Sequence, residues 1–192
     1  MTTSTRISVD EYFSKMAILV SLRGACVRRK VGCVLVNSLN HVLATGYNGR
    51  ARGIDNCLQS PCSGSESSSG TNLEGCEAIH AEQNALLQCG NVDTISTAYC
   101  TSSPCIHCLK LLMNTSCSRI VFSEKYPGHE RLQVMWETSG PGRTWEYMPI
   151  DEFIVKRDKP RCEHLWEHVD NPTETTETLM CTKCHIKKEV GI

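Results

Sequence analysis

The spacing of apolar positions changes several times along the chain, and each change marks an element. Ser8-Val9-Asp10-Glu11 reads as a capping box. Phe13, Met16, Ala17 and Val20 follow at i, i+3, i+4 and i+7, so the spacing predicts a one-faced helix that ends near Arg23-Gly24. The pattern then becomes continuous. Val31–Val36 is a short valine-rich run suited to a buried strand, Asn37–Asn40 a turn, and His41–Thr45 the returning strand. From Gly46 to Gly75 the apolar signal fades: Gly46-Tyr47-Asn48-Gly49 is turn-rich, and Ser63–Thr71 is polar and of low complexity. Helical composition returns at His80–Leu87. A strand is predicted at Ser96–Thr101, a helix from Pro104 to about Asn114, a strand at Arg119–Ser123, a helix at Glu130–Glu137 and a weaker strand at Thr144–Met148. A hairpin followed by alternating strands and helices predicts an α/β fold, a three-layer α/β/α sandwich around a mixed sheet of about five strands. The expected domain runs over 1–150 with an insert at 49–76. The charged stretch 151–161 is read as a linker, and 162–192 as a small separate unit.

Composition narrows the classes. The chain has 192 residues, a formal net charge of −1 and 40% hydrophobic residues, enough for one domain with a core and a small appendage. The near-neutral charge argues against a large nucleic-acid surface. No run approaches the roughly 20 apolar residues of a membrane helix, and the N-terminal residues lack a secretory pattern. The expectation is therefore a cytoplasmic protein. Thirteen cysteines, with histidines among them and no leader, point to metal ligation rather than disulfides.

Two short motifs organise the chemistry: His80-Ala81-Glu82 and Pro104-Cys105-Ile106-His107-Cys108. Together they offer one imidazole, one carboxylate and two thiols. Three ligands from this set hold Zn2+ and leave a fourth position open for water. Pro104 is expected at the first position of its helix, with Cys105 and Cys108 on one face and the helix N-terminus favouring thiolates. A competing reading makes His80 a core histidine and the two thiols a redox pair or half of a structural site, but the ordered pair of motifs is much more specific than a lone C-x-x-C. Cys26, Cys57, Cys62 and Cys76 are read as ligands of a second, structural zinc that staples the polar loop to the body; the alternative is that some are buried thiols. Cys33, Cys89, Cys100 and Cys117 are read as small core residues. In the last thirty residues Cys162, His164, Cys181 and Cys184, with His168 or His185 as substitutes, form a candidate zinc knuckle, because so short a segment needs a staple; disorder is the alternative.

Taken together, Cys26 with Lys30-Val31-Gly32, Gly46-Tyr47-Asn48-Gly49, Asn56-Cys57, His80-Ala81-Glu82 with Asn84-Ala85, and Ser103-Pro104-Cys105 with Cys108 resemble the deoxycytidylate (dCMP) deaminases of phage and bacterial type, within the cytidine deaminase superfamily. The resemblance runs from about Ile7 to Met148, and the cysteine-bearing insert distinguishes dCMP deaminases from the tRNA and base deaminases that share the two metal motifs. It implies conversion of dCMP and water to dUMP and ammonia, supplying dUMP for dTMP synthesis. His80, Cys105 and Cys108 would hold the catalytic zinc that activates water for attack on C4, and Glu82 would move the protons. It implies substrate contacts from Asn48, from the backbone near Ala81, Ser102 and Ser103, and from Tyr126. A phosphate partner comes from the basic group Arg28, Arg29, Lys30, Arg50 and Arg52, with Arg28 the first choice. It also implies a homohexamer regulated by dCTP and dTTP, acting in a host cytoplasm if the gene is viral. Two departures stand out. The stretch from Glu82 to Pro104 is shorter than usual around Cys89–Thr94, so a trimmed loop is expected, and the knuckle lies outside the resemblance. Deaminases of free nucleosides, single-stranded DNA or tRNA, and a non-catalytic zinc-built binding module, remain the alternatives.

Overall fold

Gly32–Val36, five consecutive buried residues, form β1, and the sheet is built outward from it. The computed structural model describes residues 6–68, 71–72 and 74–150, and the backbone of Trp166–His168, Thr176–Cys181 and Lys187–Gly191. Helix α1 (Val9–Ser21) starts at Ser8, whose hydroxyl accepts the Glu11 N–H. After β1 come β2 (Val42–Tyr47), β3 (Gly49–Arg50), β4 (Ala78–Ile79), α2 (Ala81–Gln88), a 3-10 turn at Val92–Thr94, β5 (Thr97–Cys100), α3 (Ile106–Met113), β6 (Arg119–Phe122), α4 (His129–Thr138) and β7 (Thr144–Tyr147). The main sheet has the order β2-β1-β5-β6-β7. β1 runs antiparallel to both β2 and β5, while β5, β6 and β7 are parallel, so the sheet is mixed as expected.

The period-2 alternation of strands divides the core into two layers. Val34, Val36, Tyr99 and Val121 meet Phe13 and Ala17 of α1 on one face. Cys33, Leu35, Ala98, Cys100, Ile120 and Phe122 meet Ala81, Ala85, Leu109, Leu112, Leu132 and Trp136 of α2, α3 and α4 on the other. Cys33, Cys100 and Cys117 are thus core residues, with Cys89 partly buried against them. Two glycines allow the helices to lie this close. A Cβ on Gly32 would stand 2.1 Å from the Ala17 carbonyl oxygen, and one on Gly46 would stand 2.1 Å from that of Ala81 and 2.3 Å from the Ala85 nitrogen. The sequence read Gly46 only as a turn residue; the structure extends β2 through it and uses it to bring α2 down onto the sheet.

The insert is tied off at its base by a two-stranded pair absent from the sequence reading, with Gly49 opposite Ile79 and Arg50 opposite Ala78. Arg50 donates to the carbonyls of Asp55 and Ser60, both at 3.0 Å, and pairs with Glu77. Gly64 N–H reaches the Gly75 carbonyl at 2.7 Å. Between α2 and β5 lies a single 3-10 turn at Val92–Thr94.

Asp151–Ile192 is a separate unit. Its described backbone is a three-stranded antiparallel sheet in which β9 (Thr176–Cys181) pairs with both β8 (Trp166–His168) and β10 (Lys187–Gly191). Of the candidate knuckle ligands, His168 and Cys181 fall on these strands as backbone positions, and Cys162, His164, Cys184 and His185 lie outside the described residues.

Candidate active site

His80 and Cys105 hold corresponding positions: each is the N-cap of its helix, with extended backbone. This corrects the expected frame by one or two residues. Pro104 precedes the cap of α3 instead of opening the helix, and the Cys105 backbone is extended at φ −75° and ψ 171°. Neither His nor Cys is a favoured cap. At α2 the deficit is offset by Gln83, whose side-chain oxygen accepts the His80 N–H at 2.8 Å. With His80 capping α2 and Cys105 capping α3, Glu82 becomes the second residue of α2 and Cys108 the third of α3.

The two caps meet. His80 Nδ1 lies 3.3 Å from Cys105 Sγ and 3.4 Å from Cys108 Sγ. Ligands about 2.0–2.1 and 2.3 Å from a tetrahedral zinc stand about 3.5 Å apart, so the set fits that ion with little movement. Among the described residues this is the one group of three or more His, Cys, Asp or Glu whose ligand atoms all lie within 4.8 Å of one another. The charges point the same way. A bond from the Cys108 thiol, with help from His80, lowers the Cys105 thiol to about 3. Cys108 is pushed up as the donor of that bond. The bond with Cys105 raises His80. Glu82, 4% exposed, is raised by burial. Two thiols, a carboxylate and an imidazole packed this closely compete for protons, and a divalent cation relieves that competition by taking both sulfurs as thiolates.

Above the cluster a pocket of about 80 Å³ is walled by His80, Ala81, Glu82, Asn48, Ser102, Ser103, Tyr126, Arg28 and Arg29, with Cys26 and Cys76 at its insert side. All six positions expected to contact substrate therefore line one cavity. Asn48 is partly committed: its Oδ1 accepts the Val31 N–H at 2.8 Å, and its Nδ2 donates to the Arg29 carbonyl at 2.8 Å, leaving one N–H for a ligand. Ser103 accepts the Tyr126 N–H at 2.8 Å. Burial raises the Tyr126 phenol, while Arg28 and Arg29 pull it down. Arg28 Nη2 reaches over to the insert, donating to the carbonyls of Ser68 at 2.5 Å and Thr71 at 3.2 Å. Arg50, from the same basic group, belongs to the base of the insert. Glu124 and the pocket-facing role of Arg29 escaped the sequence reading; only the position of Arg29 beside Arg28 could have flagged it.

Cys26 and the three insert cysteines are less converged. Burial raises the Cys57 thiol, and a hydrogen bond with the free Cys62 thiol and the nearness of Cys26 raise it further. Cys62 is lowered by the Glu77 N–H. Cys26, Cys57 and Cys62 are buried, and Cys76 is half-buried.

A family model for the cytidine and deoxycytidylate deaminase zinc-binding region matches residues 7–124. The chain is 42% identical over 153 residues to the deoxycytidylate deaminase of Schizosaccharomyces pombe, covering 78% of this chain and 47% of that protein. It is 41% identical over 123 residues to that of Saccharomyces cerevisiae, covering 63% and 39%. It thus spans less than half the length of these two relatives. A Mycobacterium phage deoxycytidylate deaminase is 40% identical over 124 residues, covering 60% of this chain and 94% of that one. Among solved structures, the dCMP deaminase of cyanophage S-TIM5 in complex with dCMP and dUMP superposes with a TM-score of 0.59 at 26% identity, covering 76% of this chain and 99% of that one.

Proposed function

The chain belongs to the cytidine and deoxycytidylate deaminase family, and from that premise we propose that it converts dCMP and water to dUMP and ammonia. The observation that carries this is the convergence of His80, Cys105 and Cys108 beneath a pocket that also holds the buried carboxylate of Glu82. A purely structural metal site has no use for such a carboxylate. Bound by these three residues, zinc supplies Lewis-acid activation of the hydrolytic water. Glu82 takes the proton released by that water and delivers it to N3 of the cytosine ring. It then moves a second proton to the departing amine as the C4–N bond breaks, so ammonia leaves and C4 keeps the water's oxygen. Burial raises its affinity for a proton, which suits a group that must both hold and release one. Asn48, Ala81, Ser102, Ser103 and Tyr126 frame the ring and sugar, and Arg28 faces the 5′-phosphate.

A structural zinc on Cys26, Cys57, Cys62 and Cys76 belongs to the same reading, supported by the Cys57–Cys62 contact and the nearness of Cys26. A third on Cys162, His164, Cys181 and Cys184 rests on their spacing. The same reading includes a homohexamer with dCTP and dTTP as effectors, and a cytoplasmic location. No helix among the described residues is long and apolar enough to cross a membrane.

Ultraviolet absorbance on mixing zinc-replete protein with dCMP, deoxycytidine, CMP or dCTP tests the reaction. Loss of the cytosine signal is expected to be rapid with dCMP and slow with deoxycytidine, CMP and dCTP; turnover of single-stranded DNA or tRNA instead would overturn it. Metal analysis should give two or three zinc ions per chain, one catalytic and one or two structural, and a value of one would remove both structural sites.

A further inference from the structure

Three loops meet at the mouth of the pocket: the α1–β1 loop at residues 22–31, the β5–α3 loop at 101–105 and the β6–α4 loop at 123–128. One side chain, Arg29 of the first loop, touches the other two. Arg29 Nη1 donates to the Ser102 hydroxyl at 2.9 Å and lies 3.5 Å from a Glu124 carboxylate oxygen, while the Arg29 carbonyl accepts from Asn48. Ser102 and Ser103 are buried, so the Ser102 hydroxyl has an ordered donor that water would not replace cheaply. The Ser103 N–H in turn donates to the Glu124 carbonyl at 2.8 Å, and the Ser103 hydroxyl accepts from Tyr126. The bonds form a continuous belt, Asn48–Arg29–Ser102, with Glu124, Ser103 and Tyr126 closing it. Arg28, one residue earlier, is held by the insert and takes no part in it.

We propose that Arg29 is a positioning residue. Its guanidinium fixes the Ser102–Ser103 wall and, through Pro104, the Cys105 cap relative to Glu82, so that ring and carboxylate meet in register. Its planar fork suits a site that must hold a hydroxyl and a carboxylate together, which a lysine does less well. The catalytic consequence rests on the deaminase reading above, while the structural one stands apart from it.

Two measurements on Arg29→Gln and Arg29→Lys decide the matter. The first is hydrogen exchange by mass spectrometry. Exchange over residues 100–108 and 123–128 should quicken about tenfold or more in Arg29→Gln, with α1 and α4 unchanged, because the belt and not the body is loosened. The second is steady-state turnover of dCMP and deoxycytidine. The value of kcat should fall about 10- to 100-fold on both substrates, with KM within about threefold and zinc content intact, as expected when reacting groups are displaced by a fraction of an ångström. Arg29→Lys should recover part of the loss. Unchanged exchange in the two loops would overturn the proposal. So would a loss confined to dCMP, which would make Arg29 a phosphate reader, or a joint fall of zinc content and melting temperature, which would make it a part of the fold alone. If the wild-type protein turns over neither substrate, the deaminase reading fails and the exchange experiment still judges the belt.

Discussion

The two faces of the sheet handle charge in opposite ways. On the α1 face Arg119 is bracketed by two carboxylates: it donates to Asp10 at 2.6 and 2.9 Å and to Glu146 at 2.8 and 2.5 Å, with the Tyr99 hydroxyl joining at 2.7 Å from Asp10. Every group there has a protein partner, and the three side chains keep 29%, 33% and 40% of their surface exposed. On the α2–α3 face Glu82, Cys105 and Cys108 are nearly or wholly buried, with His80 the one basic group among the candidate metal-site residues. A fully paired, partly exposed cluster is what a fold uses to pin a helix. An unbalanced buried one is costly without an outside partner, and that difference separates scaffold from site before any relative is consulted.

The sharpest way to break the comparison is at Glu82. Glu82→Gln keeps the size and most hydrogen bonds of the side chain and removes its proton traffic. Turnover of dCMP should fall by about 10²- to 10⁴-fold with zinc content and melting temperature close to wild type. If most activity survived, Glu82 would be a buried carboxylate without a catalytic task, and the two faces would no longer differ in kind.

Gly46→Ala attacks the geometry that creates the buried face. A Cβ there meets backbone atoms of Ala81 and Ala85 at 2.1 and 2.3 Å, which no side-chain rotation relieves, so α2 must lift from β2. Destabilisation of about 2–3 kcal/mol is expected, read by chemical denaturation, and zinc affinity should drop because His80 caps the displaced helix. The same residue shows what the sequence could and could not say. The strands and helices were legible because their apolar periods are clean: the run at Val31–Val36 and the spacing of Phe13, Met16, Ala17 and Val20 each admit one reading. His80, Glu82, Cys105 and Cys108 were legible because few constellations place those chemistries at that spacing. Close backbone approach leaves no such mark, since a glycine in a turn and a glycine under a helix look alike in a sequence. The β3–β4 pair is too short to show a period, and the belt through Arg29 joins residues 73 and 95 positions apart, beyond the reach of any local pattern.

The smallest expected effects lie on the α1 face, where the paired cluster makes a prediction of its own. Arg119→Ala should cost about 1–2 kcal/mol, a discounted value because all three side chains are partly solvated and screened, with kcat per folded molecule unchanged. Its signature is in the pH dependence. Arg119 holds the Asp10 and Glu146 carboxyls below their ordinary values of 3.8 and 4.5. The folded protein therefore binds protons less readily than the unfolded chain. The stabilisation is complete above those ordinary values, and it drains away as pH falls through 4.5 and 3.8 toward the lowered folded values. Thermal unfolding between pH 6 and pH 3 should show a steeper fall for the wild type than for Arg119→Ala, the two curves converging at the acid end. Parallel curves would mean that the bracket around Arg119 contributes nothing that titrates, and that the contrast between the two faces rests on the metal-site residues alone.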